Sequence, residues 1–156
     1  MAIYRTQFAA YSVAFSPFEP GKVAACSSQY FGVVGNGALE IASYATPRMT
    51  PLYQTNTQDS LFDLSWNEAN ENQVLVACGD GSLKIFDTAH AQPVLALKVH
   101  EAEVFGTQAN HKLTHLASTA SYDQLVKVVD LAQGSEVSVM RGHTAEVYSG
   151  VWHPRK

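Results

Sequence analysis

His100 and Asp123 have the clearest capacity for chemistry of any side chains in this sequence. An imidazole steered by a carboxylate becomes the base of a hydrolase once a serine or cysteine nucleophile stands beside it. No such motif is present: the chain has no nucleophile elbow, no phosphate-cradling glycine loop and no Cys-x-x-Cys pair. His111 and His115 lie four apart, the spacing of two metal ligands on a helix. Their segment reads instead as a turn entering a strand, without the adjacent glutamate of a metalloprotease. Glu101 and Glu103 imitate a carboxylate pair, but a solvated connecting loop is their expected setting. Cys26 and Cys78 fall in apolar runs, where a small buried thiol is ordinary. They form no disulfide framework and fit a reducing compartment. The expectation is no catalytic residue, no metal and no cofactor, with His100 and Asp123 serving structure.

The elements that would position these residues come in repeats. The run from His100 to Phe105 (His-Glu-Ala-Glu-Val-Phe) returns from His143 to Tyr148 as His-Thr-Ala-Glu-Val-Tyr. The run from Asp80 to Asp87 returns from Asp123 to Asp130, and both pairs are offset by 43 residues. A period of roughly 40–45 residues, with a His near its start and an aromatic-Asp pair near its end, marks WD-type propeller blades. In the best block, strands are predicted over 61–66, 73–78, 82–87 and 93–97. Asp80-Gly81 makes the hairpin between the middle two, because glycine accepts the positive φ of a primed turn. The next block predicts strands over 104–109, 115–119, 125–130 and 136–140, and a further block opens at His143. The N-terminal block is looser, with strands over 11–15, 22–34 (broken near Ser27-Ser28) and 38–41. Its long connection, 46–59, holds one short outer strand near Leu52-Tyr53. The fold expected is all-β: a partial WD-repeat β-propeller of about three and a half four-stranded antiparallel blades. It forms one unit over 1–156, with repeats at about 8–55, 58–98 and 100–141 and the start of a fourth at 143–156. A closed β-sandwich is the rival, but it requires no 43-residue register.

Bulk composition narrows the partners. Hydrophobic residues at 46% and charged residues at 15% describe a soluble globular chain. No apolar run reaches the roughly 18–20 residues of a membrane span, and no secretory leader pattern opens the chain. Neither membrane insertion nor nucleic-acid binding is expected, since a net charge of -4 lacks the basic clusters that phosphates require. Mild acidity suits a basic peptide partner.

In WD blades a His before the first strand, a hydroxyl in the second and an Asp in the following turn share hydrogen bonds, because an Asp drawn between blades must be satisfied. His100, Thr119 and Asp123 hold those positions, with Val129 replacing the indole that normally completes the set. Asp80 and His143 are the matching members of the neighbouring blocks, where Val76 and Phe86 replace the hydroxyl and the indole.

Non-repeating detail is more specific. The run from Phe15 to Ala24, the segment Gln29 to Gly35 with Gly37, then Leu61–Glu68, Cys78–Leu83, His100–Val104 and Arg141–His143 together resemble the peroxisomal receptors for type-2 targeting signals, over essentially the whole chain. That resemblance implies a seven-bladed cytosolic receptor, shuttling to the peroxisome matrix, that captures an N-terminal amphipathic helix on cargo proteins. It also implies a co-receptor peroxin and a peroxisomal docking complex as partners. Residues flanking the apolar opening of each first strand point to the face where WD partners bind. On that ground Phe62, Glu103, Phe105, Glu146 and Tyr148, joined by Tyr122 just before the turn Asp, are the expected peptide-binding residues. Aromatics plugging the propeller beside solvated glutamates is the plainer alternative. A generic WD scaffold or adaptor, or a non-functional truncated fragment, competes with the receptor reading. Four full repeats would exceed the 156 residues present, so a fragment, a short isoform or half of a split receptor is expected, with pairing of two copies as a further option.

Overall fold

The computed structural model describes residues 3–33, 35–45 and 47–154. Val34, Thr46, Arg155 and Lys156, which the sequence boundaries include, lie outside the described residues. Three four-stranded antiparallel sheets follow one another along the chain. Blade 1 comprises β1 (Ala9–Phe15), β2 (Lys22–Ser28), β3 (Gly37–Ser43) and β4 (Thr50–Thr57). Blade 2 comprises β5 (Leu61–Trp66), β6 (Gln73–Cys78), β7 (Ser82–Asp87) and β8 (Leu95–Lys98). Blade 3 comprises β9 (Val104–Ala109), β10 (Leu116–Ser121), β11 (Val126–Asp130) and β12 (Ser135–Met140). Each sheet pairs its strands in chain order, the up-and-down meander of a propeller blade. Among the described residues a single 3-10 turn, Gln29–Gly32, is the helical content, and no helix is long and apolar enough to cross a membrane.

Two expectations in blade 1 need correction. The second strand stops at Ser28 and gives way to the 3-10 turn, whose Tyr30 takes a φ of 46° that a continuing strand cannot hold. The connection after β3 is mostly strand: β4 runs eight residues rather than two. As the outer edge of its blade it tolerates Pro51 and a polar run, because one side of its backbone needs no sheet partner.

The core lies between blades. Ala24, Cys26, Leu39 and Ile41 of blade 1 meet Leu64, Trp66, Val74 and Val76 of blade 2, and Leu75, Leu83 and Ile85 meet Ala109 and Ala117 of blade 3. Each fully buried large apolar side chain contributes about 1.5–3 kcal/mol. Burial drives both thiols upward, Cys78 to about 12, so they are inert core groups.

Inner strands are joined by directional bonds as well. Trp66 Nε1 donates to the Ala14 carbonyl at 3.1 Å. Thr107 N–H donates to the Asp63 carboxylate at 3.0 Å, and Ala109 N–H to Ser65 Oγ at 3.1 Å. The segment 143–154 carries no assigned strand, yet it docks by the same rule. Trp152 N–H donates to Gln108 Oε1 at 2.8 Å, repeating the Ala109–Ser65 bond 43 residues on, and Trp152 Nε1 donates to the Gln108 carbonyl at 2.9 Å. It therefore takes the inner-strand position beside blade 3. Gly106 permits this approach: a Cβ there would stand 2.7 Å from the Tyr148 carbonyl oxygen.

Candidate functional site

In a meander the start of the first strand and the turn between the second and third lie at one end of every blade. At that end each blade carries the same irregularity. Pairing in blade 1 jumps from Ala10 to Ser12, leaving Tyr11 as the extra residue. In blade 2 it jumps from Leu61 to Asp63, leaving Phe62, and in blade 3 from Gly106 to Val104, leaving Phe105. A bulge re-aims its side chain and sharpens the local twist. Here three bulges aim three rings along one rim.

The rings touch in series. Tyr11 meets Phe62 edge-on with centroids 5.2 Å apart, Phe62 meets Phe105 at 4.6 Å, and Phe105 meets Tyr148 at 5.2 Å. Tyr122, in the turn after β10, joins at 5.7 Å from Phe105. Phe62 is buried, Phe105 half-buried, and Tyr11, Tyr122 and Tyr148 are exposed. All six residues expected at the rim are therefore neighbours along it, and Tyr11 is a seventh that the sequence reading omitted. Its position before Ser12, matching Phe62 before Asp63, was the available clue.

Glu103 and Glu146 border the rings. The Tyr122 N–H donates to the Glu103 carbonyl at 3.0 Å. The Tyr122 hydroxyl donates to the Glu146 carboxylate, whose charge is the main reason that phenol is pushed above its ordinary range. Both glutamates are exposed.

Beneath the rim, His100 Nδ1 lies 2.8 Å from Asp123 Oδ2 and Nε2 lies 2.8 Å from Thr119 Oγ1. Burial lowers the His100 pKa, while Asp123 is held below the carboxylate range because, against its own desolvation, His100 and the Leu125 and Glu101 N–H groups together favour its ionised form. The arrangement is a neutral imidazole donating through Nδ1 to ionised Asp123 and accepting the Thr119 hydroxyl at Nε2. Asp123 Oδ1 also accepts the Leu125 N–H at 3.1 Å, which fixes the turn that presents Tyr122. Asp80 holds the same turn position but has a different partner: Lys84 Nζ at 2.9 Å, with Ser82 donating from its N–H and hydroxyl. His143 is exposed and, among the described residues, makes no hydrogen bond. The partners of His100 lie 19 and 23 residues downstream, and the same spacing from His143 passes Lys156. His111 is a tether, its Nε2 lying 3.1 Å from the Pro154 carbonyl.

The rim thus sets bulged aromatics beside open carboxylates. No protein-family model matches the chain. It is 34% identical over 146 residues to the peroxisomal targeting signal 2 receptor of Mus musculus, which covers 92% of this chain and 46% of that protein. The receptor of the same name from Saccharomyces cerevisiae is 42% identical over 123 residues, covering 78% of the chain and 33% of that protein. Peroxisome biogenesis protein 7 of Arabidopsis thaliana is 33% identical over 133 residues, covering 82% and 42%. The chain is a homologue of the peroxisomal targeting signal 2 receptors. It spans less than half the length of these receptors.

Proposed function

We propose that this chain carries a cargo-reading rim of a receptor for type-2 peroxisomal targeting signals. The observation supporting this most is the ladder Tyr11–Phe62–Phe105–Tyr148, bulged into line blade by blade and flanked by Glu103 and Glu146. An amphipathic signal helix lays its apolar stripe on the rings and its basic side chains near the carboxylates, the helix-in-groove mode of recognition. Rigid aromatics supply contact area at low rotamer cost, and the glutamates speed encounter and set register. No bond is made or broken. His100, Thr119 and Asp123 hold the turn under Tyr122, and Asp80 with Lys84 does the same in blade 2. Cargo-bound receptor then meets a co-receptor peroxin and the peroxisomal docking complex, moving from cytosol to peroxisome matrix.

The test is the affinity of the 156-residue chain for an N-terminal type-2 signal peptide against a scrambled peptide of equal composition. The receptor reading expects at least about tenfold tighter binding of the signal, a difference of about 1.4 kcal/mol. Equal affinities would return the chain to the general class of WD scaffolds.

A further inference from the structure

Carboxylates stand at two places along the ladder, beside blade 2 at its middle and beside blade 3 at one end, and their charge is open at the second only. At blade 2, Lys84 Nζ lies 2.9 Å from Asp59 Oδ2 and 2.9 Å from Asp80 Oδ2. The lysine side chain is mostly buried, whereas the two aspartates are 34% and 36% exposed. Lys98 Nζ also donates to the Asp80 carbonyl. Lys84 between the two carboxylates, with Lys98 beside Asp80, offsets the charge these anions show to solvent. At the blade 3 end, Glu103 and Glu146 are exposed and form no ion pair among the described residues. Glu146 meets only the neutral Tyr122 hydroxyl, and Arg141 and His143 on the approach to it pair with neither glutamate. The opposite extreme of the rim is apolar: beside Tyr11, the turn after β2 exposes Tyr30 by 67% and Val33 by 86%.

We infer that Lys84 makes the rim directional. By offsetting Asp59 and Asp80, with Lys98 beside Asp80, Lys84 leaves the open negative charge of the rim concentrated at blade 3 on Glu103 and Glu146, so a bound amphipathic helix lies with its basic end over blade 3 and its apolar end toward Tyr11, Tyr30 and Val33. The inference rests on the helix-binding reading above. Ring spacings of 4.6–5.2 Å along the ladder are close to the helical pitch of about 5.4 Å, so successive helical turns meet successive rings. Lys84 is a positioning residue, acting through the aspartates it covers.

The experiment uses the 156-residue chain, isotopically labelled, and an amphipathic helical peptide with two arginines at one end of a leucine stripe. A spin label is placed at the basic end or at the apolar end. In the native chain the basic-end label is expected to broaden the amides of Tyr122 and Tyr148 and spare Tyr11 and Tyr30, and the apolar-end label to do the reverse. In Lys84→Met, Asp59 and Asp80 become open, and the basic-end label is expected to broaden both groups; Lys84→Arg retains the one-sided pattern. Should Lys84→Met fail to fold, Glu103→Gln with Glu146→Gln decides the matter. That double variant is expected to lose the one-sided pattern and roughly three- to tenfold in affinity, the range for exposed ion pairs. A native chain that binds the peptide in both directions, or a one-sided pattern surviving in Lys84→Met or in the double variant, overturns the inference and leaves helix binding intact. No binding of the peptide at all overturns both.

Discussion

His100 is the residue on which the blade 3 turn depends, and its environment fixes a pH dependence. Its side chain is fully buried between Asp123 and Thr119, and burial sets its folded pKa below the ordinary 6.5. A buried group that must stay neutral contributes stability that is complete above the unfolded pKa. The contribution declines as pH falls below about 6.5. Asp123, also depressed, keeps its contribution above the ordinary carboxylate value and loses it as pH falls through its lower folded pKa. Both signs agree: acid destabilises. Urea midpoints are therefore expected to be level above about pH 7 and to fall between pH 6.5 and 5, with a shallower fall in His100→Gln; parallel curves for the two proteins would contradict the assignment. These partners were legible in the sequence, because the spacing His100–Thr119–Asp123 follows blade grammar. Lys84 was not, since a lysine alternating along a strand looks like any solvated charge until its two aspartates are seen beside it.

At the scale of elements, the device that matters is the bulge. An extra residue at Tyr11, Phe62 and Phe105 turns each ring onto the rim while the strand below it keeps its alternation. Sequence pattern conveyed the strands well in blades 2 and 3, where the turns at Asp80-Gly81 and Asp123-Gln124 agree with the apolar runs around them. It conveyed β4 poorly, because an edge strand with solvent on its outer side has no need of apolar residues. It could not convey the bulges, because an aromatic residue fits the alternation whether or not it is paired. Gly106 links two elements, β9 and the docked segment 143–154, and a side chain there meets backbone atoms at 2.7 and 3.0 Å. Gly106→Ala is expected to release that segment and with it Tyr148, at a cost of about 1–3 kcal/mol, typical of overpacking. Faster amide exchange confined to residues near 143–154 would register the release, and unchanged protection there would contradict it.

For the whole molecule, three blades and a docked fourth inner segment present one continuous rim. Blade order, the 43-residue register and the rim residues were readable because a repeat places equivalent residues at equivalent heights. The polarity of the rim was not readable, since it arises from which carboxylates find a cation in space. The chain is a homologue of receptors about twice its length. The most direct measurement is the dissociation constant of a type-2 signal peptide for the native chain and for Glu103→Lys with Glu146→Lys, with thermal midpoints recorded for both. Two exposed charge reversals are expected to weaken binding by at least about tenfold, increasingly so at low salt, while leaving the midpoint within a few degrees. Unchanged affinity in a folded double variant would remove the acidic aromatic rim from cargo recognition.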